Sequence, residues 1–287
     1  VSTLTRPHRD APALAPVPPN PRVAVLVVTR DSADLVGGLL DSLHDGLAGL
    51  DWTLTVADRA SIDDTLGVVR YRAPFARVVP AGRSAGHAAA VNTALAAAGA
   101  LPAPRLGGWH DAVLLVEPGV RLGRHAGIAL LAALGAEHRD GTRAGIAAPR
   151  VYEPDGRLRL SLRHERPRLR PIGRPGRAQV EQGPGWPFDQ RVTSPGAYRE
   201  ATVTGWASRG ALLIDTACLR VCGPWPEPGE RRPEEGEYAR RAFDHGYHVR
   251  LAPTARVLDS TPPTPGRSAA SRRAALSRRA VSTRQAW

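Results

Sequence analysis

Short runs of β-branched and other apolar residues, each followed by a segment with helical spacing, succeed one another through the first half of the sequence. VAVLVVT, from Val23 to Thr29, is continuous, as expected of a strand buried on both faces. Asp31 or Ser32 can cap the helix that follows, where Leu35, Val36, Leu39, Leu40 and Leu43 keep a 3.6-residue period. WTLTVA is a second strand ending at Asp58, and Ser61 with Asp64 looks like a capping box for a second helix. ARVVP, AGHAAAVNTALAAA, DAVLLV, HAGIALLAALGAEHR and AGIAAPRV continue the alternation. Repeated βα units imply an α/β fold, a mainly parallel sheet with helices on both faces. Such sheets bind ligands at the carboxyl ends of their strands, and Thr29, Asp58 and Glu117 all fall at such ends.

The rest of the chain is less regular. Residues 1–21 are rich in Pro and Ala without periodicity and read as a flexible leader. Residues 153–200 hold seven prolines and ten arginines and read as a mobile loop region over the site, between a nucleotide half (22–150) and an acceptor half (201–265). The tail, 266–287, carries six arginines among Ala and Ser and is either disordered or a basic amphipathic helix. The net charge of +12 comes entirely from arginine, in a chain without Lys or Met. That pattern resembles coding bias, and the charge is scattered, so no nucleic-acid partner is expected. Cys218 and Cys222, four apart, read as small core residues in a reducing compartment. No apolar run reaches the ~20 residues that span a bilayer, and no signal pattern opens the chain, so a cytoplasmic protein is expected.

Several positions could carry chemistry. Asp58 could accept the imide N–H of a pyrimidine base, or simply hold a turn. Gly82, Gly86 and Asn92 mark a loop running tightly into a helix, whose N-terminus favours phosphate. Glu234, Glu235 and Glu237 fall in the first turn of a helix, where the dipole favours them and where one could act as a general base. In VLLVEPGVRLG a strand ends at Glu117 and a Pro turns the chain, a shape suited to delivering carboxylates to a metal, yet only one carboxylate is present.

Taken in order, VVTRDSADLVGGLLDSL, VADRASIDDT, GRSAGHAAAVNTAL, VEPGVRLG, VTGWASRGALLIDTACLRVCGPW and PEEGEYARRAFDHGYHVRLAP resemble glycosyltransferase family 2, and most closely its actinobacterial rhamnosyltransferase-like members. The resemblance runs from about Arg22 to Asp259 and implies a GT-A-type, Rossmann-like fold. It implies transfer of a sugar, with inversion, from a dTDP- or UDP-linked donor to a glycan or lipid-linked acceptor in cell-envelope or polysaccharide assembly. Carried over residue by residue, Thr29 and Asp58 meet the nucleotide, with Arg59, Arg83 and Asn92 beside it. Glu117 and Asp259 fall on metal-binding positions, Glu235 on the catalytic base, and Trp206, Glu234 and Glu237 on the acceptor side.

The departures matter as much. Arg59 replaces an Asn, Gly119 stands where a second metal-binding carboxylate is usual, and Glu235 is one methylene longer than the usual Asp. Three accounts remain open. In one, Glu117, Asp259 and the donor phosphates form a weakened divalent site (Mn or Mg); in another, arginines, with Arg59, Arg83, Arg121 and Arg231 as candidates, replace the metal; in the third, the chain binds a sugar nucleotide or partner protein without transferring. The basic tail suggests peripheral contact with an anionic membrane.

Overall fold

The structure, a computed structural model, describes residues 21–100, 110–164, 191–208, 210–227 and 233–261. The leader, the centre of the Pro- and Arg-rich region and the basic tail lie outside the described residues, as does Arg231.

The first half alternates as its sequence pattern requires: β1 (Arg22–Thr29), α1 (Ala33–Gly46), β2 (Asp51–Asp58), α2 (Thr65–Arg72), β3 (Arg77–Pro80), α3 (His87–Ala97) and β4 (Ala112–Val116). A short β5 (Val120–Leu122), α4 (Ala126–Ala133) and β6 (Arg143–Tyr152) follow. Then come the two-residue strands β7 (Leu158–Arg159) and β8 (Leu162–Arg163), a 3-10 turn (Pro195–Tyr198), and β9 (Val203–Thr204) and β10 (Trp206–Ala207). β11 (Ala211–Asp215), α5 (Thr216–Cys222), α6 (Glu234–Asp244) and the long β12 (Tyr247–Asp259) complete the chain.

The main sheet runs β3-β2-β1-β4-β11-β6-β12-β5, with β7 against β6 and β9 against β12. β3, β2, β1 and β4 are mutually parallel, as are β6 and β12; β11 enters antiparallel between β4 and β6. In the parallel block Thr29 stands opposite Asp58, and Asp58 opposite Pro80, so these strands end at one level. β1 sends Val23, Val25 and Val27 to a core shared with α1, α2 and α4. Its Ala24 and Leu26 pack on the other face with α3, α5 and α6. The period of two in a strand explains why its whole run is apolar: both faces are covered.

Three local expectations are corrected. Ser61 and Asp64 do not form a capping box: the Ser61 hydroxyl donates to Asp58, and Asp64 makes no side-chain cap bond. Asp63 instead accepts from Thr65 and from the backbone N–H of Ala33, tying the starts of α1 and α2 together. The helix expected through Arg139 stops at Ala133, because Gly135 turns left-handed (φ 72°) and residues 135–144 fold back as a hairpin. Part of the expected mobile region is regular, forming β7, β8 and the 3-10 turn. The cysteines do share one helix face, Sγ to Sγ at 3.7 Å. The contact with Cys222 and burial push the Cys218 thiol well up, as suits a core residue rather than a reactive one.

His248 on β12 is buried against this hairpin. The Thr142 hydroxyl donates to Asp140 and so accepts from His248 Nδ1 at 2.9 Å. Burial pushes the imidazole down to about 4, with His138 and Arg250 adding to the effect and Asp140 opposing it. The unfolded chain, with an ordinary His near 6.5, binds the extra proton between those values. This contribution to stability is therefore complete above about pH 6.5 and lost as pH falls through about 4. Urea titrations at pH 7.5 and 4.5 should show a loss on acidification that is smaller by roughly 2 kcal/mol in His248→Gln. An equal loss in both proteins would contradict the assignment.

Candidate active site

The carboxyl ends of β1, β2 and β4 meet the N-termini of α3 and α6 on the face built from α3, α5 and α6. There the structure opens a cleft with apolar walls that include Leu26, Val28 and Trp225. Among the described residues its titratable lining is His87 from α3, Glu117 from the end of β4 and Glu235 from α6, so two of the expected carboxylates are brought together. Asp259 is not among these lining residues.

Asp58 is almost wholly buried, and its own chain surrounds it. Oδ1 accepts from the Thr29 hydroxyl at 2.7 Å and the Ser61 hydroxyl at 2.6 Å, and Oδ2 accepts from the Ser61 N–H at 2.9 Å. Thr29 and Asp58 thus shape the turn at the end of β2. Arg59 extends this link: its N–H donates to the Thr29 carbonyl and its Nε to the Ala85 carbonyl, at 2.9 Å each. The loop from Gly82, whose φ is 78°, into α3 is held in this way, and Arg83 stands exposed on it. Asn92 has a different task from the one expected. Its amide both donates to and accepts from the Trp225 backbone, at 2.9 and 2.7 Å, so it positions Trp225 rather than reaching a ligand.

The three glutamates of α6 separate. Glu235 lines the cleft. Glu234 turns inward instead of toward an acceptor: its Oε2 accepts from Trp225 Nε1 at 3.1 Å and meets His87 Nδ1 at 2.7 Å. Glu237 is engaged along the helix by Arg240, whose guanidinium donates to both its oxygens. Trp206 is brought to the same helix end, against Gly236, where a Cβ would come within 3.4 Å of the indole. His87 was missed in the sequence, because its partner Glu234 lies 147 positions away and nothing local marks the pair.

Asp259, expected as a metal ligand, is taken up by groups of the protein itself. Asp259 is 1% exposed; its Oδ2 is held by the Arg159 guanidinium from β7, and its Oδ1 accepts from the Thr261 N–H at 2.8 Å. Arg159 also approaches Glu153 at 3.8 Å. Among the described residues no three His, Cys, Asp or Glu side chains converge as a cation site requires. Gly119 has a structural reason of its own. Ser260 donates to its carbonyl at 2.8 Å, and a Cβ at 119 would lie 2.3 Å from Thr261 Oγ1 and 3.0 Å from Thr261 N. Reading Gly119 only as a lost ligand is therefore corrected: the segment after β12 occupies the space a side chain would need. Of the other arginines considered, Arg121 packs on α1 at Gly38.

No protein-family model matches the chain. The N-acetylglucosaminyl-diphospho-decaprenol L-rhamnosyltransferase of Mycobacterium tuberculosis is 28% identical to it over 230 residues, 78% of this chain and 71% of that protein. A mannosyltransferase from Pyrobaculum calidifontis, solved with GDP-Man and Mn2+, superposes with a TM-score of 0.54 at 17% identity, over 86% of this chain and 59% of its own. TarS of S. aureus, solved with UDP-GlcNAc, superposes with a TM-score of 0.51 at 16% identity, over 84% of this chain and 59% of its own. The chain thus spans about three fifths of each of these two structures. The fold is GT-A, and the proteins it resembles are glycosyltransferases. In sequence the chain is similar to this actinobacterial rhamnosyltransferase.

The packing at residue 119 makes a direct test. Gly119→Asp should cost about 1–2 kcal/mol in urea unfolding, because the Thr261 backbone as well as its hydroxyl must move. A variant as stable as the parent would show that the 260–261 segment yields freely.

Proposed function

We propose that the chain transfers a sugar from a dTDP- or UDP-linked donor to a hydroxyl of a lipid-linked or polysaccharide acceptor in cell-envelope assembly, with inversion. The observation that supports this best is the convergence of Glu235 and Glu117 on one apolar-walled cleft at the strand ends. Glu235 takes the proton of the acceptor hydroxyl as its oxygen bonds to the anomeric carbon. The bond from that carbon to the diphosphate oxygen breaks, and its electron pair leaves with the nucleoside diphosphate. The nucleoside lies over the ends of β1 and β2, at Thr29 and Asp58, and the diphosphate over the Arg59-braced loop that carries Arg83. Trp206 and the end of α6 face the acceptor.

The named acceptor class of the mycobacterial relative, a polyprenyl diphosphate-linked sugar, is the one we adopt here. Among the described residues no helix is long and apolar enough to cross a membrane. A lipid-linked acceptor then calls for peripheral contact at the inner membrane face, for which the arginines of residues 266–287 supply charge. The engagement of Asp259 by Arg159 also supports a second reading, a paralogue that binds sugar nucleotides without transfer.

A transfer assay with dTDP- and UDP-sugars and a glycoside acceptor separates the two. Glu235→Gln should lower kcat by roughly 10²–10³-fold, the range of a lost general base. Donor affinity should stay within about twofold of the parent. Undiminished turnover by Glu235→Gln would remove Glu235 as the base, and donor binding without transfer by the parent would favour the second reading.

A further inference from the structure

The proposed base, Glu235, stands in the first turn of α6, and the N-cap residue of that helix, Pro233, makes no side-chain cap bond. The contacts of the helix's own first residues therefore place the turn. Glu234 and Tyr238 are four apart and share one face, and both meet Trp225. The indole Nε1–H donates to Glu234 Oε2 at 3.1 Å, and the Trp225 and Tyr238 rings stack at 4.6 Å. Trp225 is in turn held by α3, whose Asn92 amide donates to and accepts from its backbone. α3 also reaches the turn directly. His87 Nδ1 lies 2.7 Å from the same Oε2, with side chains only 23% and 10% exposed. An ionised carboxylate accepts from both partners, so Nδ1 is the donor.

These contacts fix backbone first. Successive helical residues lie about 100° apart round the axis, so once Glu234 is pinned toward α3 the Cα–Cβ bond of Glu235 is directed as well. That direction is toward the cleft, which Glu235 lines. Gly236, next in the turn, lies against the Trp206 indole, where a Cβ would come within 3.4 Å, so the turn has little room to rotate. Removing the Nδ1–H bond would take a donor from a nearly buried carboxylate and free the turn from α3. We propose that His87 is a positioning residue: through Glu234 it fixes the first turn of α6, and with it the direction in which Glu235 meets the acceptor hydroxyl. This rests on the transferase reading, with Glu235 as the base. A base displaced by about 1 Å loses up to roughly 10²-fold in rate.

Two readouts test it. The kinetic one is a cycle on kcat over the parent, His87→Phe, Glu235→Gln and the double variant, with His87→Asn added because its amide keeps a donor near the place of Nδ1. His87→Phe should lower kcat by about 10–100-fold, with KM and the Kd of the nucleotide sugar within about twofold, and His87→Asn should recover most of the loss. In the Glu235→Gln background His87→Phe should change kcat by less than about threefold, because it acts through the residue already removed. The structural readout is hydrogen exchange at the Glu237 amide, which donates to the Pro233 carbonyl at 3.0 Å. Exchange there should be faster in His87→Phe and restored in His87→Asn. Unchanged exchange, unchanged kcat, or an equal loss in both backgrounds overturns the assignment. So does a fall in nucleotide-sugar affinity as large as the fall in kcat, which marks a general loosening of the site. A parent that transfers nothing, or full turnover by Glu235→Gln, removes the transferase reading instead, while the exchange result still decides whether His87 holds the turn.

Discussion

A carboxylate taken out of water must be answered by donors or by charge, and the site is arranged around that requirement. Asp58 is answered by two hydroxyls and an amide of its own turn. Asp259 is answered by Arg159 and a backbone N–H. Glu234 is answered by an indole and an imidazole. Each solution also fixes a neighbour in place: the turn after β2, the segment after β12, and the start of α3. Glu117 and Glu235 line the cleft.

The scaffold that holds these groups follows from strand register. β1 is flanked by β2 and β4, all parallel and all buried, so Thr29, Asp58 and the residue after β4 end at one edge of the sheet. α3 and α6 cover the same face and both begin at that edge. Their N-terminal dipoles point toward the cleft, which favours the two glutamates that open α6. The small residues of α3, with Ala88, Ala90 and Ala94 fully buried, let that helix approach the sheet closely enough to bring His87 onto Glu234.

The alternation of the first half was legible because strands covered on both faces must be continuously apolar, and helices covered on one face must keep their period. β1 through β4 and the helix of the three glutamates could be read for that reason. β5, β7, β8, β9 and β10 could not: two or three residues carry no periodicity, and they are strands only through their partners. The same limit applied to the site. Glu117 and Glu235 stand at the ends of legible elements and were found. The Arg159 partner of Asp259 lies 100 positions away, and the space at Gly119 is closed by Thr261, so neither could be seen along the chain. Asn92 and Glu234 looked like ligand contacts because their residue types suit that work; their partners turned both toward Trp225.

We propose that the donor diphosphate is met by arginine rather than by a divalent ion. Calorimetric titration of the parent with a nucleotide sugar, once with excess chelator and once with manganese, tests it most directly. Dissociation constants that agree within about twofold are expected. Binding strengthened by manganese by an order of magnitude, about 1.4 kcal/mol, would mean that Asp259 exchanges Arg159 for a metal, and would contradict it.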